Sequence, residues 1–222
     1  MKLTKNGWRR IFFSVCQLIF FIIAIDGIAR DSSDQAGWLG FFGLVLAFTP
    51  DALRRYAKLV LPFTYEVALM AFIFLSLVAG EYFDIYGKLV WWDDMLHFLS
   101  GLFIGYAGLL LLYIDDKKKR AVSGPWFAAV FVFSLVVTSA AVWEIFEFLV
   151  DQFAHGHMQY GLVDTMMDII DATGGGVIVS VVAYQYYKYS RGKWLKAMLD
   201  AFARLNPWVV KRSGVRDYAT HQ

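Results

Sequence analysis

Six stretches of almost unbroken apolar character run along the chain: Ile11–Ala29, Gly37–Thr49, Leu59–Gly80, Trp92–Ile114, Trp126–Val150 and Thr165–Tyr187. A helix needs roughly 17–25 apolar residues to cross a bilayer. The second run is short, but Ala52 and Leu53 extend it past Pro50. The runs are continuous instead of alternating at every second residue, so they predict α-helices and not a barrel. The pattern therefore predicts an all-α, polytopic transmembrane helix bundle of about six spans over residues 1–190. A tail at 191–222 follows, in which Trp194, Leu195, Met198, Leu199, Phe202 and Leu205 recur at helical spacing. Lys193, Lys196 and Arg204 fall outside that stripe, which predicts an amphipathic helix on the membrane surface, ending near Pro207.

Composition supports this reading. Of 222 residues, 59% are hydrophobic and 18% charged, whereas soluble domains carry about 25% charged residues. The single cysteine, Cys16, excludes an intrachain disulfide. The first apolar run is long for the core of a cleavable signal peptide and is read as a span.

The charges set the expected topology. With six spans, 19 of the 21 lysines and arginines share one side, and only Arg30 and Lys88 fall on the other. By the positive-inside rule both termini are expected in the cytoplasm of a multi-pass protein of the bacterial inner membrane. Acidic residues partition the opposite way, 13 of 19 lying on the outer side or in the outer half of the spans. Ionisable groups at that depth pair with one another or serve a function. Here there are too few cations to pair them.

Three segments carry the excess. In Trp91-Trp92-Asp93-Asp94-Met95-Leu96-His97, Asp93 and His97 are four apart and share a helix face. Gly101, Gly105 and Gly108 continue close to that face and allow another helix to approach. Alternatively, Asp93 or Asp94 caps the span and His97 bonds a carbonyl. In the second segment Glu144, Glu147 and Asp151 share a face of the fifth span, where two ionised glutamates a turn apart repel unless a cation sits between them. The plainer reading is snorkelling to the interface. In the third, Asp164, Asp168 and Asp171 form an i, i+4, i+7 stripe ahead of Gly174-Gly175-Gly176. Asp164 also suits an N-cap, and the glycines suit a packing notch better than a phosphate loop. His155 and His157 are expected in solvent.

The six-span topology brings these acids and His97 to one layer of the outer half. Oxygen ligands with one imidazole suit a divalent cation such as Zn, Mn, Mg or Ca. A wet, partly protonated polar cluster is the alternative.

The ordered set Trp-Asp-x3-His-x2-Ser-Gly, Glu-x2-Glu and Asp-Thr-x2-Asp resembles the YjdF-like family of bacterial inner-membrane proteins and, more distantly, VanZ-like proteins. The likeness runs roughly from Thr49 to Tyr187 and points to Asp93, His97, Gly101, Glu144, Glu147, Asp164 and Asp168. It implies an integral membrane protein and no particular reaction. Where VanZ-like proteins tend to have Asn, this chain offers Asp171 and Thr173.

The favoured expectation is a metal-dependent hydrolase or phosphoryl-transfer enzyme acting on a lipid or lipid-linked substrate. His97, Glu147, Asp164, Asp168 and Asp171 are the candidate ligands, and Asp93 and Glu144 the candidate catalytic acids or bases. The alternatives are an ion-coupled carrier, with Glu66 as the main polar step in the inner half, or a membrane scaffold. Membrane lipids are the expected partners. A carrier of this size implies a homo-oligomer, and nothing supports nucleic-acid binding.

Overall fold

An apolar segment in a medium that cannot hydrogen-bond must satisfy its own backbone, and in the computed structural model every apolar run does so as a helix. The structure describes residues 5–29, 36–117, 124–154 and 158–210, with no strand among them. The helices are α1 (Lys5–Ala29), α2 (Ala36–Ala47), α3 (Thr49–Tyr56), α4 (Phe63–Ile73), which runs on into a π-helical segment (Phe74–Tyr82), α5 (Trp91–Lys117), α6 (Pro125–Ala154), α7 (Leu162–Tyr189), α8 (Lys193–Leu205) and α9 (Pro207–Val210). All four prolines stand at helix starts: Pro50 in α3, Pro62 just before α4, and Pro125 and Pro207 as first residues. A missing N–H costs nothing there. Among the described residues five helices are long and apolar enough to cross a membrane, over Gly7–Asp26, Phe63–Tyr82, Trp91–Asp116, Pro125–Phe153 and Leu162–Tyr189. The second apolar run is the exception. Its helix, α2, has 12 residues, about 18 Å against a hydrocarbon core of about 30 Å.

The chain forms two compact units, residues 1–96 and 97–222. In the first, Phe13, Phe20 and Ile23 of α1 pack with Ala47, Met70, Ile73 and Val78. Two polar pairs fix its topology. Glu66, in the first turn of α4, is 0% exposed and forms an ion pair with Arg9 near the start of α1. At the far ends of the same two elements, the Tyr82 hydroxyl donates to Asp26 Oδ2 at 2.6 Å. Arg9 and Asp26 are separated by about 25 Å of helix, so α1 and the α4–π helix run parallel. The chain must therefore return between Ala29 and Phe63, and α2, packed on α1 with Gly43 against the Phe20 ring, is the helix that does so. After a turn at Phe48, α3 brings the Arg54 guanidinium to 3.9 Å from Glu66. The expected carrier step at Glu66 is thus a carboxylate held between arginines of two other helices.

In the second unit α6 packs along α7, and glycines set how closely the helices meet. A Cβ on Gly101 of α5 would collide with the Ala172 carbonyl oxygen of α7, and one on Gly175 with the Phe98 carbonyl oxygen. One on Gly105 would lie 2.8 Å from Val179 Cβ, and one on Gly176 2.8 Å from Val136 Cγ1 of α6. The packing notches expected at these glycines are thus present, backbone on backbone where α5 crosses α7.

The amphipathic helix forms as α8, but its stripe is divided. Leu195, Leu199 and Phe202 are buried in the protein, whereas Trp194 is 71% exposed. Asn206, itself buried, donates from Nδ2 to the Phe202 carbonyl at 2.8 Å and closes the helix.

Candidate functional site

The α5–α7 crossing at Gly101 carries His97, one turn earlier on α5, toward Asp168, one turn earlier on α7. His97 Nε2 lies 3.7 Å from Asp168 Oδ1, which is ion-pair range but too long for a hydrogen bond. From α6, Glu144 and Glu147 reach the same imidazole: one ligand atom from each of His97, Glu144 and Glu147 lies within 4.8 Å of the others. Glu144, Glu147 and Asp168 are buried. Asp93 sits in the first turn of α5, one helical turn before His97.

The remaining predicted residues are placed differently. Asp164 Oδ2 accepts the Tyr160 N–H at 3.0 Å, so it holds the chain entering α7 from within the first turn; the N-cap is Gly161 and not Asp164. Asp171 is half-buried one turn further along α7. Among the described residues neither Asp164 nor Asp171 contributes an atom to the close ligand groupings. Asp151, at the end of α6, accepts the N–H groups of Met158 at 2.8 Å and Gln159 at 2.9 Å. His155 and His157 lie outside the described residues.

Two groups not singled out in the sequence support the cluster. The Trp143 indole N–H donates to Glu147 Oε1 at 2.7 Å. Gln159 donates from Nε2 to the Glu144 carbonyl at 3.1 Å, with Glu144 Oε2 at 3.4 Å. The Trp143 contact is an i, i+4 pairing that the sequence could have offered. That of Gln159 had no local signal, because it crosses a loop.

One atom tests whether the arrangement suits a cation. Glu144 Oε1 is buried and has no hydrogen-bond partner. A buried carboxylate oxygen left unpaired is costly. This one belongs to a set of oxygen donors with one imidazole, a donor set that fits a divalent metal.

Comparison with known proteins agrees with the membrane reading. The family described as "Predicted membrane protein (DUF2238)" matches residues 10–189. An uncharacterized protein of Thermotoga maritima is 30% identical over 149 residues, covering 67% of this chain and 73% of that protein. No solved structure matches. With nearly all the membrane helices inside the matched region, the chain belongs to the DUF2238 family of predicted membrane proteins.

Proposed function

We propose that the protein is a divalent-metal-dependent membrane enzyme acting on a lipid or lipid-linked substrate, with His97, Glu144, Glu147 and Asp168 at its centre. The observation that carries this reading is the convergence of His97, Glu144 and Glu147 ligand atoms within 4.8 Å, with Glu144 Oε1 buried and unpartnered. His97, Glu144 and Glu147 would hold the metal, with Asp168 beside the imidazole. When bound, the cation supplies Lewis acidity toward an ester or phosphoryl oxygen. The chain's own residues do the rest. Trp143 fixes one oxygen of Glu147, and Gln159 anchors Glu144, leaving Oε1 for the cation. Asp93, a turn before His97 on α5, is the proton acceptor. In the carrier alternative the inner-half step, Glu66, is engaged by Arg9 and approached by Arg54.

The split of basic residues favours an orientation in which this centre faces the outer leaflet of a bacterial inner membrane. The likeness to YjdF-like proteins agrees with that location. Metal analysis of purified protein, before and after chelation, tests the proposal. Stoichiometric metal, lost in the His97→Ala, Asp168→Ala double variant, is the expected result. A folded preparation that takes up none of the four candidate metals would overturn it.

A further inference from the structure

We infer that the cluster is entered from the bilayer and not from water, so that its ligand is an amphiphile whose alkyl chain lies along α6 while its polar head reaches Glu147. This rests on the proposed site and adds the class of molecule that occupies it.

The segment entering α7 is tied down beside Glu144. The three consecutive backbone N–H groups of Met158, Gln159 and Tyr160 are each held by a carboxylate oxygen: two from Asp151 at the end of α6 and one from Asp164 in the first turn of α7. Charge-assisted bonds of this kind are the stronger ones. They fix the segment so that the Gln159 side chain lies on Glu144, which is only 5% exposed.

The membrane side is different. Thr138, Ser139, Val142, Trp143 and Phe146 line an open groove of about 370 Å³ on α6, within the span Pro125–Phe153. Its medium at that depth is hydrocarbon, so a chain entering it displaces only other chains. The Trp143 ring, 40% exposed and 5.5 Å from Phe146 between centroids, forms the end of the groove nearest the cluster. The same indole donates its N–H to Glu147. Groove and carboxylate thus share one side chain as their common wall, and an alkyl chain in the groove leaves its head beside Glu147.

Access can be measured without metal. In a Cys16→Ser background, Glu147→Cys in nanodiscs of phosphatidylethanolamine and phosphatidylglycerol exposes both membrane faces to reagent. A charged methanethiosulfonate reports the water route and N-pyrenylmaleimide the lipid route. Each rate is normalised to cysteines at exposed Asp84 and at groove residue Val142. The expected result is at least tenfold preference for the lipid-soluble reagent. Adding Asp151→Ala should raise the charged reagent's rate at least tenfold, and adding Ser139→Trp should slow only the lipid-soluble one. Reaction with the charged reagent while Asp151 is in place overturns the inference. So does reaction with neither reagent, or indifference to Ser139→Trp. Glu144→Cys serves as a second reporter should Glu147→Cys fail to fold. Metal analysis and labelling fail separately: absence of metal removes the enzyme reading, and water access removes lateral entry.

Discussion

His97 Nε2 and Asp168 Oδ1 lie 3.7 Å apart one helical turn from the place where Gly101 meets the Ala172 carbonyl. The imidazole and carboxylate thus owe their proximity to a position without a side chain. Gly101→Ala should force α5 and α7 apart, costing about 1–3 kcal/mol of stability through overpacking. Gly174→Ala, whose Cβ would meet Phe98 at an ordinary 3.6 Å, should be tolerated. Thermal unfolding of the two variants in detergent checks the contrast, and equal stability would count against a backbone-set crossing.

Trp143→Phe keeps the ring and removes the donor that holds Glu147. If Glu147 is a metal ligand, affinity should fall about 10–100-fold, as is usual when a ligand's hydrogen-bond partner is lost. The melting temperature should barely move. Calorimetric titration with Mn or Zn reads the first, a thermal scan the second.

Glu66→Gln leaves Arg9, whose side chain is 17% exposed, without its fully buried counter-charge. Breaking one side of a buried pair costs about 3–5 kcal/mol, so this variant should be among the least stable single substitutions in the chain. Arg54→Gln removes a partner at 3.9 Å that is itself partly exposed, and its effect should be clearly smaller. Denaturant unfolding in mixed micelles ranks the two.

The parallel course of α1 and the α4–π helix predicts an even number of crossings up to α4. In a Cys16-free background, an impermeant thiol reagent added outside intact cells should label a cysteine at Asp84. It should spare cysteines at Lys58 and Lys193. Labelling of Lys58 from outside would contradict both the return through α2 and the proposed orientation.

Local patterns carried most of the fold into view. Apolar run length gave the long helices, and the small residues at Gly101, Gly105 and Gly175 announced a close crossing, because each of these is written within one turn or one span. The i, i+4 pairing of Asp93 with His97 and the adjacency of Glu144 and Glu147 were legible for the same reason. What could not be read depends on pairings across long separations. Arg9 and Glu66 are 57 residues apart, and only the folded chain shows that this buried acid is paired with an arginine of another helix. Gln159 sits in a loop with no periodicity, and its reach to Glu144 depends on how Asp151 and Asp164 hold the backbone. The division of the α8 stripe was equally hidden, since amphipathicity reports an apolar face and not what covers it.

The 12 residues of α2 have a consequence for the lipids around it. A helix of about 18 Å making a passage beside neighbours of 20 residues or more leaves about 12 Å of hydrocarbon thickness unmatched. Phe41, Val45 and Phe48 project from its exposed side at i, i+4 and i+7. Lipids against that flank must shorten or tilt, and their headgroups sink toward the midplane. A passage through α2 would thin the membrane around it, so bilayers built from shorter chains should suit the protein best and thick, sterol-stiffened ones least.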